Sequence, residues 1–339
     1  MSAHEVLSEQ VATQLQRHGY TTGAAPFGQL LAGGGSGRAF YRVATDQGSV
    51  VVMSAPRPRA DFRSWLDVHC LLEEQGIPVP RVLAAEPDVQ VVIMEDLGDD
   101  SLERVVAACS DSAARREVYR QALDVLCALQ ALPAERVRQC RYMRHRDFGY
   151  EALRWESDYF VECCLRQLCG LQRVKATQLE AELHGLATAL AEEPRVFMHR
   201  DFQSRNIHLL DGQVRIIDFQ TATWGVRQYD LAALLRDPYV ALPPAERSRL
   251  VTEYLACSPQ PPASEEQFLQ VYKLACLQRS MQALGAFAFL GLQRGQPEFL
   301  AHVAPGLALL GDTLAQVDDY RVLRQLVGEA AEAYAQLPD

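Results

Sequence analysis

Apolar residues recur at helical spacing near the start of the chain, where Val6, Leu7, Val11 and Leu15 share one face of a predicted helix over residues 3–18 that stops at Gly19. The period then drops to two. Strands are predicted at Phe27–Ala32, Ala39–Ala44 and Ser49–Ser54, the last around the run Val50, Val51, Val52, because β-branched residues suit a pleated surface. A helix over 61–75 ends at Gly76, and Pro78 and Pro80 interrupt the chain. Arg81–Ala85 and Gln90–Glu95 then form a hairpin around Pro87-Asp88. The result is a five-stranded antiparallel sheet with one main helix.

Past the polar stretch from Glu95 to Ser101 the pattern is almost wholly helical, apart from a small β section around Phe197 to Asp218. Helices are expected at 101–108, 112–131, 149–167, 175–192, 228–236, 244–257, 264–293 and 306–336, with breaks inside the last two. This change of pattern predicts an α+β, bilobal chain, with a nucleotide-binding lobe over 1–96 and a catalytic, acceptor-binding helical lobe over 97–339.

Composition narrows the function. A chain of 339 residues, 48% hydrophobic, is long enough for a substantial core. A formal charge of −10 argues against a nucleic-acid partner, since duplex binding relies on Lys and Arg neutralising phosphates. The first 20 residues carry charges at intervals, which is the pattern of neither a signal peptide nor a membrane span. Nine cysteines with no C-x-x-C pair fit a reducing compartment, so the cytoplasm is the expected location. Cys163, Cys164 and Cys169 read as buried helical thiols and receive no metal. A monomer or weak dimer is expected.

The chemistry is concentrated in His199-Arg200-Asp201-Phe202-Gln203-Ser204-Arg205-Asn206, followed by Ile216-Ile217-Asp218-Phe219. Phosphoryl transfer needs a carboxylate to orient and deprotonate the acceptor hydroxyl, and oxygen ligands for Mg²⁺ on the nucleotide phosphates. The H-x-D-x-x-x-x-N spacing supplies Asp201 as the candidate base and Asn206 as a metal ligand. An apolar strand ending in Asp218 supplies a second ligand. His199 and Arg200 are expected to brace the loop, and Asp230, near the start of the helix in YDLAALLRD, to cap its amides. Arg205 either touches the transferred phosphate or pairs with a nearby acid.

Between the first two strands lies Gly33-Gly34-Gly35-Ser36-Gly37-Arg38. Such a segment can press bare backbone N–H groups against ATP phosphates, with Gly34, Gly35, Ser36 and Gly37 in contact, or it can be a flexible hairpin turn. Strand three should then offer a lysine to the phosphates, yet the chain has Met53 there. Arg38 and Arg42 are the nearest cations, with a solvent-facing role equally open to them. Glu95 and Leu97, where the fifth strand meets the second lobe, complete the candidate nucleotide-binding set. Asp67 on the following helix is left structural.

These residues resemble the aminoglycoside phosphotransferase and choline kinase superfamily, and within it the bacterial N-acetylmuramate/N-acetylglucosamine anomeric kinases. The segments VVMSAP, GIPVPRVLAAE, EDLG, LRWESDYF, HRDFQSRN, IDFQTATWG and YDLAALLRD follow that pattern in order, from about residue 30 to 240, including methionine in place of the lysine. The resemblance implies a protein-kinase-like fold, ATP and Mg²⁺, and transfer of the γ-phosphate to the anomeric hydroxyl of an amino sugar in cell-wall recycling. Thr221, Trp224 and the triple glycine depart from the group's pattern. Arg154, Glu156, Asp158, Arg205 and Trp224 are the acceptor-binding candidates, although Arg154 and Asp158, four apart on a helix, suit an ion pair with each other. A kinase for an aminoglycoside, choline or homoserine stays open, as does a nucleotide-binding module without transfer, which Met53 favours.

Overall fold

The computed structural model describes residues 11–22, 29–33, 38–55, 60–171, 176–258 and 261–337. A helix at 11–17 (α1) precedes the strands β1 (Gln29–Gly33), β2 (Ala39–Thr45) and β3 (Gly48–Ser54). Helix α2 (Ala60–Glu74) and the hairpin β4 (Val82–Glu86) and β5 (Val91–Glu95) follow. The sheet order is β1-β2-β3-β5-β4, antiparallel throughout. Central β3 explains its unbroken valines by being covered on both faces. Val50 and Val52 pack with Val11, Leu15, Tyr41 and Ile93 on one side, while Val51 and Met53 join Phe62 and Trp65 of α2 on the other. Met53 is fully buried, so strand three fills its core with this side chain and brings no cation to the phosphates.

Helices α3 (Leu102–Ala108), α4 (Ser112–Gln130), α5 (Ala134–Gln139), α6 (Tyr150–Tyr159) and α7 (Ala176–Ala191) open the larger lobe. The strands β6 (Arg195–Met198), β7 (Ile207–Leu210), β8 (Gln213–Ile216) and β9 (Thr223–Val226) form two short hairpin sheets, β6 with β9 and β7 with β8. Helices α8 (Arg227–Leu235), α9 (Pro244–Cys257), α10 (Glu265–Gln293), α11 (Val303–Leu314) and α12 (Arg321–Tyr334) complete the chain.

The helical lobe differs from the sequence expectation in three places. The helix expected to break within 264–293 is continuous over 29 residues, its first turn capped by the Ser264 hydroxyl. Its Gly285 is kept for close packing, since a Cβ there would stand 2.8 Å from Tyr159 Cδ1 and 3.1 Å from the Phe160 nitrogen. The segment 306–336 does break, at Tyr320 in the left-handed region with φ of 61°. Helix α6 passes at Phe160 into a π-helical run to Leu168, and the short α5 has too few apolar positions to be read from periodicity. Cys163, Cys164 and Cys169 are buried in and beside the π-helical run. Among the described residues no helix is long and apolar enough to cross a membrane.

Candidate active site

Strand β6 delivers the chain into the loop that carries Asp201, and two buried aspartates of the α8 region hold that loop. Asp230 accepts the His199 amide at 2.6 Å and the Arg200 amide at 2.8 Å, while Asp237 accepts the Ser204 amide at 2.8 Å. Both carboxyls are almost wholly buried, and burial pushes Asp230 up to about 7 against the pull of those amides. The brace is needed because Arg200 sits at φ 76°, a region that costs a non-glycine residue on the order of 1 kcal/mol or more. His199 locks the turn from within. Its Nε2 donates to the Ile217 carbonyl at 3.0 Å, and its Nδ1 accepts the Asp201 amide at 3.3 Å. Burial lowers the ring to about 4, so it stays neutral, as that bonding requires.

Asn206 and Asp218 reach the same place by different routes. Asn206 Nδ2 donates to the Asp201 carbonyl at 2.9 Å and to Asp201 Oδ2 at 3.2 Å. With its nitrogen so engaged, its Oδ1 is the atom left for a ligand. The Ile217 amide donates to the Asn206 carbonyl at 3.0 Å, which ties the end of β8 to the catalytic loop one residue before Asp218. Asp218 itself adopts φ 64° and accepts a hydrogen bond from Gln220. Together the two side chains line a cleft of about 720 Å³ that Phe40, Val51 and Met94 of the sheet lobe, and Leu97 at the lobe junction, also line. That size and apolar wall suit a nucleotide. Among the described residues no three His, Cys, Asp or Glu side chains cluster as a metal cage. One carboxylate and one amide oxygen could serve Mg²⁺, an ion that keeps waters and takes further oxygens from phosphates.

Asp201 has one partner that its own motif does not announce. Arg279 of α10 donates from Nη2 to Asp201 Oδ1 at 3.0 Å and to Gln203 Oε1 at 3.0 Å, and from Nη1 to Gln282 Oε1 at 2.6 Å. The arginine is 5% exposed, whereas the Asp201 side chain keeps 32% of its surface open. Burial raises Asp201 to about 6, with Arg279 opposing that rise, and solvent reaching the open third offsets part of the burial effect. A carboxylate in that range is a competent base near neutrality.

Other candidates occupy different surroundings. Gly34, Gly35, Ser36 and Gly37 lie outside the described residues. Arg38 is buried at the start of β2 and is absent from the cleft lining. Arg42 lines the cleft, but its charge faces acids at the lobe junction, Asp96 at 2.7 Å and Asp99 at 2.8 Å. Asp96 is held below its ordinary range because Ser49, Arg42 and the Gly98 amide outweigh the cost of burial. Glu95 also lines the cleft, its carboxylate accepting the Arg81 amide at 3.2 Å.

Of the acceptor candidates, Arg205 pairs with Glu103 at 2.7 Å and lies 3.6 Å over the Tyr239 ring. Arg154 turns to Asp158 at 2.7 Å and to Glu180 of α7 at 2.8 Å. Glu156 is fully buried, accepting from Tyr229 at 2.9 Å and from Arg200 at 3.2 Å. Trp224 lies beside Arg138, 6.0 Å from ring centre to guanidinium, and is absent from the cleft lining. None of these five has a hydrogen bond to Asp201.

A small sheet lobe and a larger helical lobe, with the Asp218 carboxylate and the Asn206 amide lining a cleft and the Asp201 carboxylate bonded to that amide, make the arrangement of a protein-kinase-like phosphotransferase. The chain belongs to the APH phosphotransferase enzyme family, whose pattern matches residues 28–268, and it is an enzyme that phosphorylates a hydroxyl group. It is similar to the N-acetylmuramate/N-acetylglucosamine kinase of Pseudomonas aeruginosa, 29% identical over 300 residues that cover 83% of this chain and 85% of the relative. The protein of the same name from Neisseria meningitidis serogroup B is 28% identical, covering 86% and 88%. In solved structures the fold resembles an aminoglycoside-3'-phosphotransferase of type VIII, with a TM-score of 0.54 and 22% identity over 79% of this chain and 97% of that one. It also resembles the choline kinase LicA from Streptococcus pneumoniae, with a TM-score of 0.56 and 14% identity over 99% and 100% of the two chains.

Proposed function

We propose that this enzyme is an ATP-dependent sugar kinase that phosphorylates the anomeric hydroxyl of N-acetylmuramate or N-acetylglucosamine, in the cytoplasmic recycling of cell-wall sugars. The observation that carries the reading is that Asn206 and Asp218 line one cleft and Asp201 is hydrogen-bonded to Asn206, with relatives that bear the amino-sugar kinase name at 26% to 30% identity. Residues 1–96 would hold the nucleotide and 97–339 the acceptor and the catalytic loop.

In this account Asp201 accepts the proton of the acceptor hydroxyl as its oxygen bonds to the γ-phosphorus, and the bond to the bridging oxygen breaks to release ADP. An anomeric hydroxyl is more acidic than an ordinary alcohol, so a carboxylate near 6 is basic enough. Asn206 and Asp218 are the residues that would hold Mg²⁺, which neutralises phosphate charge when bound. The His199, Asp230 and Asp237 contacts keep the loop preorganised, which is where most of the rate is gained. With Met53 in the core, strand three gives the phosphates no lysine, and the charge would be met by Mg²⁺ held at Asn206 and Asp218.

The test is ³¹P NMR of ATP, Mg²⁺ and each sugar with the enzyme. A sugar phosphorylated at the anomeric carbon gives its own signal. Turnover with choline, homoserine or an aminoglycoside, and none with any reducing amino sugar, would refute the reading.

A further inference from the structure

Helix α6 presents two flanks that do different things. Its register against α10 is set by Gln278, which donates to the Leu153 carbonyl at 2.9 Å and to Glu156 Oε2 at 3.3 Å, and by Gly285 against Tyr159. Seven residues of α10 therefore run beside about seven of α6. Arg154 and Asp158 occupy the flank facing Glu180 of α7. At about 100° per residue, Trp155 and Tyr159 fall on the next face round, about 100° from Arg154 and Asp158, between them and Glu156, whose carboxylate meets Arg200 of the loop carrying Asp201 at 3.2 Å.

Trp155 is 57% exposed, and it stacks on Tyr159 with ring centres 5.0 Å apart and planes at 15°. Tyr159 in turn meets Phe289 of α10 at 5.8 Å. Stacked on a second ring and left open, the indole offers a flat apolar face that a ligand ring can cover. Its position is what gives it meaning. On α10, buried Arg279 touches Asp201, and on the turns that follow, Gln282, Ala286 and Phe289 form a half-buried stripe at helical spacing. Trp155 is level with the turn carrying Gln282, about 5 Å along the helix from Arg279. Gln282 gives its carbonyl oxygen to Arg279, and its amide nitrogen has no partner among the described residues.

We propose that Trp155 and Tyr159, backed by Phe289, form a stacking shelf for the pyranose ring of the acceptor, with the Gln282 amide beside it as a hydrogen-bond donor. The proposal rests on the sugar-kinase reading. One face of a pyranose is a row of C–H groups that suits an aromatic plane, while its hydroxyls and N-acyl carbonyl need donors such as Gln282. The ring would enter along α10 with its reducing end toward Asp201. The acceptor is thus an N-acylated hexosamine held by stacking and amide contacts, with Arg154 and Asp158 facing elsewhere.

The test is steady-state kinetics of the full chain with N-acetylglucosamine and ATP, for the parent, Trp155→Ala, Trp155→Phe and Tyr159→Ala. Trp155→Ala should raise KM for the sugar about tenfold and leave KM for ATP unchanged, while Trp155→Phe stays within about threefold of the parent. Sugar should quench tryptophan emission in the parent and not in Trp155→Phe. An unchanged sugar KM in both alanine variants, or an equal rise in KM for ATP, overturns the shelf while leaving the kinase reading intact. Loss of self-association in Trp155→Ala without a kinetic effect would assign the patch to a second copy of the chain instead. A parent inert toward every reducing amino sugar overturns both.

Discussion

Replacing Arg279 with glutamine probes the contact that ties α10 to the catalytic carboxylate. The guanidinium lies 3.0 Å from Asp201 Oδ1 and is almost wholly buried. Opposite charges at about 4 Å attract by roughly 4 kcal/mol at an effective dielectric of about 20. With a third of the Asp201 side chain open to water, screening reduces that to about 1 to 2 kcal/mol. One pH unit corresponds to about 1.4 kcal/mol, so removing the charge should move the Asp201 carboxyl up by about one pH unit. The sign follows from the base being active only when ionised. The acidic limb of kcat/KM, set by a carboxyl at about 6 in the parent, should shift to higher pH, and activity at pH 8 should fall by about tenfold from lost orientation. Arg279→Lys, which keeps the charge, should move the limb less. The assay is kcat/KM from pH 5 to 9 with folding followed by circular dichroism. A well-folded Arg279→Gln enzyme with an unmoved acidic limb would refute the proposed electrostatic role.

Other outcomes follow from the same geometry. Asn206→Ala and Asp218→Asn should each raise the Mg²⁺ concentration needed for half-maximal turnover, as read by Mg²⁺ titration at fixed ATP, because the first removes an amide oxygen and the second a carboxylate charge. Asp230→Asn should cost about 2 to 3 kcal/mol in urea denaturation, since an amide cannot accept both loop N–H groups that the carboxylate holds at 2.6 and 2.8 Å. Gly285→Ala should destabilise by about 1 to 2 kcal/mol, its Cβ meeting Tyr159 at 2.8 Å. Gly311→Ala, with nothing within 4 Å, should stabilise α11 by about 0.5 to 1 kcal/mol in the same measurement.

The architecture was legible wherever burial follows periodicity. Central β3 announced itself through Val50, Val51 and Val52, and the catalytic loop through a motif whose spacing is a local property of eight residues. Long-range partners were not legible. Arg279 stands 78 positions from Asp201 in a helix whose apolar residues surround it, and no local pattern separates it from an ordinary helical arginine. The acceptor candidates show the limit of periodicity. It fixes only which residues of LRWESDYF share a face, so Arg154 and Asp158 stand out by charge, while packing turns Arg154 to both Asp158 and Glu180. The continuity of α10 was obscured by Gly285 and Gly291, whose missing side chains admit Tyr159 and Leu300.

The most direct trial of the whole account compares Asp201→Asn with the parent in turnover of ATP with an amino-sugar acceptor, alongside nucleotide affinity measured by calorimetry. Loss of a positioned general base predicts a drop on the order of 10² to 10⁴ in kcat with ATP affinity nearly unchanged. Turnover that persists at the parental rate in the variant would contradict the assignment of Asp201, and with it the catalytic reading of the cleft.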